Sequence, residues 1–182
     1  AGARNFYTKD RQIQKLEDFE GLKIRVQESD MMASMVENLG GEPVKKPYSE
    51  VYSLLEKSEA DGAENNWPSY ESMQHYEVAG YYTLDEHIRI PELQICSKHT
   101  WEKLSEEDQQ IILECAKESS IYQRKLWKEQ ETKSRELAVS AGAEVVHLST
   151  VEKKKFRKAV EPLFERYCGE HMDLIQEILS VK

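Results

Sequence analysis

Apolar runs long enough to span a bilayer are missing from this 182-residue chain. Its opening, Ala1-Gly2-Ala3-Arg4, lacks the apolar core of a signal peptide, so a mature or a trimmed start would fit equally. Cysteine is scarce. Three cysteines, an odd number, argue against a disulfide-built fold without settling the compartment. Positive charge is in deficit: 25 Lys and Arg against 34 Asp and Glu give a formal net charge of −9. Nothing in that balance favours nucleic acid or an anionic membrane surface. No Gly-rich phosphate loop, internal repeat or low-complexity linker is present. The length suits one large domain or two small lobes.

What is there begins with Asp61-Gly62-Ala63-Glu64-Asn65-Asn66-Trp67-Pro68-Ser69-Tyr70. This stretch reads as too polar for a core strand and too aromatic for an idle loop. Asp61-Gly62 signals a turn, because glycine accepts a positive φ. Pro68 pushes Trp67 toward an extended conformation. A carboxylate and two amides on constrained backbone, beside an indole, suit a polyhydroxylated ligand. A surface turn that happens to hold an aromatic is the competing reading.

The rest of the chain alternates strand and helix patterns. Residues 4 to 15 are polar and irregular, with Phe6, Tyr7 and Ile13 as anchors. Leu22, Ile24 and Val26 alternate with Lys23 and Arg25, as in a short strand. Ser29 or Asp30 caps a helix with Met31, Met32, Met35, Val36 and Leu39 as core filler, ended by Gly40-Gly41. A second short strand covers 42 to 47, and Ser49 caps a helix bearing Val51, Leu54 and Leu55. Arg25, Tyr48 and Asn65 all fall at the carboxyl ends of strands, where open α/β sheets bind ligands.

Further on, 69 to 79 reads as a short helix and 81 to 97 as extended, with a bend at Pro91. Leu104-Ser105-Glu106-Glu107-Asp108 signals a capping box. The helix it opens runs to Ala141, long enough to be shared by two lobes, and Gly142 stops it. A strand at 144 to 148 follows, then a capping box at Ser149/Glu152, a helix kinked at Pro162 and a last amphipathic helix. The Lys153-Lys154-Lys155 run reads as a solvated helix face. Cys96/His99 and Cys168/His171 offer four potential zinc ligands, but not at a usual zinc spacing. A Cys/His-dependent hydrolase or metal enzyme is the alternative function; no segment proposes its orienting group or oxyanion hole.

Taken together, Gly21-Leu22-Lys23-Ile24-Arg25-Val26, Pro47-Tyr48-Ser49-Glu50-Val51-Tyr52, Asp61-Gly62-Ala63-Glu64-Asn65 and Tyr76-Glu77-Val78 resemble the solute-binding proteins of TRAP transporters, the DctP-like family. The wording from Glu64 to Tyr70, with Tyr81-Tyr82-Thr83-Leu84-Asp85-Glu86-His87, is similar to members that bind hexuronates. The resemblance implies an α/β, periplasmic-binding-protein-like (type II) two-lobed fold, periplasmic or extracytoplasmic. Such a protein is no enzyme and needs no cofactor or metal. It closes on a small organic acid, here a sugar acid, and delivers it to TRAP membrane permease subunits.

Residue by residue, the resemblance places the carboxylate-binding arginine at Arg25, whose fork suits a carboxylate as lysine does not. It places a further arginine at Arg4, an aromatic wall at Tyr48, a side-chain amide at Asn65 and a cleft histidine at His87. Trp67 adds an apolar face for a sugar ring. Glu64 is left between packing, hinge and contact. Bland roles compete throughout: a staple before a cap for Tyr48, a satisfied turn for Asn65, an idle polar face for His87. The family's opening βα segment has no counterpart, so the fold is expected to lack the N-terminal part of the first lobe. Residues 1–88 with 131–182 are expected to form the second lobe. Residues 89–130 would return to the first lobe and begin the inter-lobe helix, with Leu93, Ile95, Trp101, Leu104, Ile111, Ile112 and Leu113 left without their packing partner. Self-association through that face, or a fragment that serves only in assembly, follows as an expectation.

Overall fold

The computed structural model describes residues 2–181; Ala1 and Lys182 lie outside the described residues. One six-stranded mixed sheet organises the chain, with β1 at Ala3–Thr8, β2 at Lys23–Val26, β3 at Glu42–Lys45, β4 at Gly62–Asn65, β5 at Tyr81–Arg89 and β6 at Glu144–His147. The strand order is β3-β2-β4-β1-β5-β6. β2 runs parallel to β3 and β4, while β1 is antiparallel to both β4 and β5. Because β1 runs backwards, its first residues lie at the same sheet edge as the last residues of β2, β4 and β5. Arg4, Arg25, Asn65 and Arg89 are thereby brought to one edge from distant parts of the chain.

Two sequence expectations fail here for one reason. Residues 4 to 15 do not begin irregularly: β1 is central and nearly all buried. The stretch from Asp61 is not too polar for the core either, since all four residues of β4 are buried. A strand covered on both faces loses the alternation that reveals half-buried strands. Phe6 packs with Phe19, Val36 and Phe156 on one face, while Tyr7 packs with Leu55, Tyr70 and Tyr82 on the other. The polar members are satisfied in place: Asn5 Oδ1 accepts from Glu86 N at 2.9 Å, and Thr8 Oγ1 donates to Arg11 O at 2.6 Å. Gly62 is not used for a positive φ. A Cβ there would stand 2.6 Å from Tyr7 O, so close strand approach is what demands glycine.

Helices cover both faces. α1 (Asp30–Asn38) is capped by Ser29, whose side chain accepts from Met32 N, and buries Met32, Met35 and Val36. Met31 is 41% exposed, so it is not core filler. Ser49 does not cap the next helix; a 3₁₀ turn at Tyr48–Glu50 leads directly into α2 (Val51–Glu56) without a side-chain cap. α3 (Trp67–Ser72) starts earlier than its pattern suggests, because Asn66 caps it and Pro68 occupies its first turn. β5 ends at Arg89, and no strand forms around Leu93–Ile95.

After α4 (Lys98–Trp101), α5 (Glu106–Ser140) runs 35 residues, about 50 Å at the usual rise per residue. Its C-terminal part packs on α3, where Ser134 Oγ donates to Glu71 at 3.3 Å. Its N-terminal part leaves Ile111, Ile112, Leu113, Tyr122 and Leu126 exposed, with Leu93 and Ile95 beside them in sequence. Ser149 caps α6 (Thr150–Val160), but Glu152 does not close the box; its carboxylate accepts from Leu16 N and pairs with Lys155. Pro162 starts a separate α7 (Pro162–Cys168), followed by α8 (Met172–Ser180). No described helix is long and apolar enough to cross a membrane.

Candidate functional site

The shared sheet edge opens into a cavity of about 410 Å³. Arg25, Arg4, Asn65 and Tyr48 line it, with Lys46, Gln27 and Glu28 on the β2 side. Ile90, Glu92 and Trp127 complete the opposite side. Arg25 is 2% exposed. Its Nε and Nη2 both donate to the Lys46 carbonyl, at 2.9 and 2.6 Å. One carbonyl thus fixes one edge of the guanidinium. The other edge, Nη1 with the second Nη2 hydrogen, donates to nothing in the described residues and has the geometry for a two-point bond to a carboxylate. Burial draws the Arg25 pKa below its ordinary value, opposed by Tyr7 and Glu64. The group remains a desolvated cation, and such a cation favours a bound anion.

Asn65 ends β4 at 5% exposure. Its Oδ1 accepts from Asn66 N at 2.9 Å, which fixes the amide; among the described residues its Nδ2 donates to none. Tyr48 keeps part of its ring exposed and donates its hydroxyl to Ser69 O at 2.8 Å, so it ties the 3₁₀ turn before α2 to α3.

Arg4 behaves differently from Arg25. Its Nε and Nη2 hold the Glu64 carboxylate at 2.5 and 2.7 Å, and Nη2 also reaches Glu64 O at 3.1 Å. Glu64 is fully buried. Burial opposes its charge, but His87 and Arg4 outweigh burial and hold the carboxyl below its usual range. His87 lies outside the cavity, stacked on Phe6 at 4.3 Å between ring centroids. Its Nδ1 is 2.6 Å from Asp85 Oδ2, and its Nε2 stands 3.5 Å from Glu64 Oε2, an ion-pair separation without hydrogen-bond geometry. A β-bulge sets this up: the β1–β5 register shifts between Arg4 and Phe6, Glu86 takes φ +53°, and Asp85 Oδ1 accepts the Phe6 N–H in place of a ladder bond. Trp67 also lies outside the cavity, stacked on Tyr82 at 3.7 Å.

The structure therefore brings Arg25, Asn65, Tyr48 and Arg4 together and leaves His87 and Trp67 behind the wall. Sequence reasoning left Glu64 without a firm role and passed over Asp85. The alternation of β5 carried a signal for Asp85, two residues from His87 and so on the same face. The Lys46 carbonyl carried no side-chain signal at all. Cys96 and Cys115 are exposed, Cys168 is half-buried, and all three are free. No group of three or more potential metal ligands is found among the described residues.

The buried histidines predict an unusual pH profile. Burial opposes charge on His87, but Asp85 and Glu64 raise its pKa from 6.5 to about 9. Its contribution is therefore fully present below about pH 6.5 and lost as pH rises through 9. His75, which shares a 2.8 Å hydrogen bond with Tyr7, is lowered to about 4 by burial and then by Arg25. Its contribution is present above about pH 6.5 and lost as pH falls toward 4. Thermal unfolding from pH 5 to 9.5 should give the highest Tm near pH 6.5, with an alkaline fall worth at most about 3 kcal/mol. A Tm still rising at pH 9 would show that the folded state does not hold His87 charged.

A mixed sheet covered by helices on both faces, with a buried arginine offered to an open cavity at one edge, defines the class: part of an α/β, periplasmic-binding-type protein. Residues 1–170 match the model of the DctP family, bacterial extracellular solute-binding protein family 7, and the chain belongs to that family. A solute-binding protein of Chromohalobacter salexigens is 40% identical over 182 residues, which is 100% of this chain and 54% of that protein. A TRAP periplasmic solute-binding protein of Bradyrhizobium sp., solved with α/β-D-galacturonate, superposes with TM-score 0.88 at 41% identity, covering 100% of this chain and 60% of that one. The open, ligand-free form of a TRAP periplasmic solute-binding protein of Citrobacter koseri superposes with TM-score 0.93 at 35% identity and the same coverage. The chain thus spans about half the length of the relatives it matches.

Proposed function

We propose that this chain is the ligand-recognising part of an extracytoplasmic TRAP-type receptor. Its ligand is a sugar acid with one carboxylate, of the hexuronate kind, and its role is recognition and delivery to a membrane permease, without chemistry. One observation carries this reading: the end-on edge of buried Arg25, fixed by the Lys46 carbonyl, faces a cavity shared with the Asn65 amide. Arg25 supplies charge, Asn65 directs hydroxyls and Tyr48 offers an apolar face. The cavity's size falls in the range that encloses small ligands. That the Bradyrhizobium relative was solved with galacturonate supports the ligand class.

In this reading residues 1–88 with 131–182 form one lobe and 89–130 return to the other. His87 and Trp67 act behind the site, through Glu64 and Tyr82, and do not touch the ligand. The exposed apolar face from Leu93 to Leu126 supports self-association or cover by another polypeptide, as expected from the sequence.

Calorimetry decides the ligand class. Glucuronate and galacturonate should bind, and glucose and galactose should not, because a neutral analogue leaves Arg25 desolvated and unpaired. Equal binding of a uronic acid and its neutral sugar would sink the reading.

A further inference from the structure

We infer that this cavity admits one carboxylate and rejects a second, and that Glu28 and Glu92 enforce the rejection. The inference rests on the acid-binding reading above and adds a specificity to it. It begins with the charges around the cavity. Arg4 is held two-fold by Glu64, and Lys46 lies 3.5 Å from Glu50. Among the described residues, Arg25 is the lining cation that no carboxylate of the chain pairs with. One anionic group can therefore be neutralised in the cavity by a buried partner.

Glu28 and Glu92 line the same cavity, and neither enters a salt bridge among the described residues. Glu28 follows β2, and Glu92 follows the end of β5. Those strands are three positions apart in the sheet, roughly 14 Å at ordinary strand spacing. The two residues thus reach the cavity from segments on opposite sides of β4 and β1, with Arg25 on the strand that leads into Glu28. A ligand anchored on Arg25 extends its other end between them. Hydroxyls there can donate to carboxylate oxygens. A second carboxylate finds only cations already paired with carboxylates of the chain and meets charges of its own sign, and such like-charge placement is how a site refuses a wrong partner. Because both glutamates are solvent-exposed, salt should weaken the effect.

The test compares D-glucuronate with D-glucarate, its counterpart carrying a carboxylate at both ends. Titrations use the wild-type chain and the Glu28→Gln/Glu92→Gln double variant, at low and physiological salt. Both substitutions are at exposed positions and should leave the fold intact, which circular dichroism checks. Glucuronate should bind the wild type at least about tenfold more tightly than glucarate. The double variant should narrow that gap several-fold, and added salt should narrow it in the wild type. Equal binding of the two acids by the wild type would overturn the inference while leaving the acid site in place. A gap unmoved by the double variant would overturn the role of the glutamates. Failure of glucuronate itself to bind would remove the acid-binding reading, and the inference with it.

Discussion

Replacing Glu64 with glutamine is expected to destabilise the fold more than any other change of a single polar atom in the chain. The side chain keeps its volume, so no cavity opens and the loss is electrostatic. Arg4 loses a two-point carboxylate and His87 loses one of its two acidic neighbours, while both stay largely buried. Removing one partner of a buried ion pair typically costs about 3–5 kcal/mol, because the remaining charge is stranded. For a domain of this size that corresponds to a Tm lowered by roughly 10 °C. Urea unfolding should show a lower midpoint with an unchanged slope, the signature of lost stability alone. The alkaline limb of the pH profile should also move down, since His87 would retain only Asp85. A Tm within about 2 °C of wild type would mean that Arg4, Glu64, His87 and Asp85 are not coupled.

The second large effect is on binding. Arg25→Ala should weaken uronate binding by about 2–5 kcal/mol, thirty-fold to several-thousand-fold, the range seen when one partner of a desolvated ion pair is truncated. Arg25→Lys should also bind poorly. A lysine ammonium either donates to the Lys46 carbonyl or reaches toward the ligand; it lacks the two edges with which Arg25 does both. Titration calorimetry on both variants, with circular dichroism to confirm folding, measures this. Unchanged titration curves would remove Arg25 from the site. The two substitutions should separate cleanly, because Glu64 sits behind the cavity wall and Arg25 lines it.

The consequences of pairing differ for the two arginines, which lie at the same sheet edge. Arg4 lines the cavity as well, but its Nε and Nη2 are committed to the buried Glu64 carboxylate. Arg25 is also buried, yet among the described residues its hydrogen-bond partner is a neutral carbonyl and not a carboxylate. The resemblance separates Arg25, as the carboxylate-binding arginine, from Arg4, as a further one, but spacing along the chain names the partner of neither.

Much was legible in the sequence. The β2 alternation, the Ser29 and Ser105 caps, the long helix ending before Gly142 and the strand at 144 all have local causes, namely side-chain periodicity and capping chemistry within a few residues. Local cause also placed Arg25 and Asn65 at the carboxyl ends of strands and Tyr48 just beyond one, and the cavity lies there. What local pattern could not reveal is the core of the sheet. β1 and β4 are covered on both faces, so their apolar and polar residues do not alternate, and polar side chains survive there because partners about 60 residues away satisfy them. The fates of His87 and Trp67 were hidden for a related reason. A bulge that turns His87 toward Glu64, and a Tyr82 ring placed under Trp67, depend on which strands lie side by side. The sequence by itself determined the elements and the residue types available at the edge of the sheet. Only the tertiary structure decided which of those charges meets a carboxylate of the chain and which meets a neutral carbonyl, because pairing of buried charges is set by distance in space and leaves no trace in spacing along the chain.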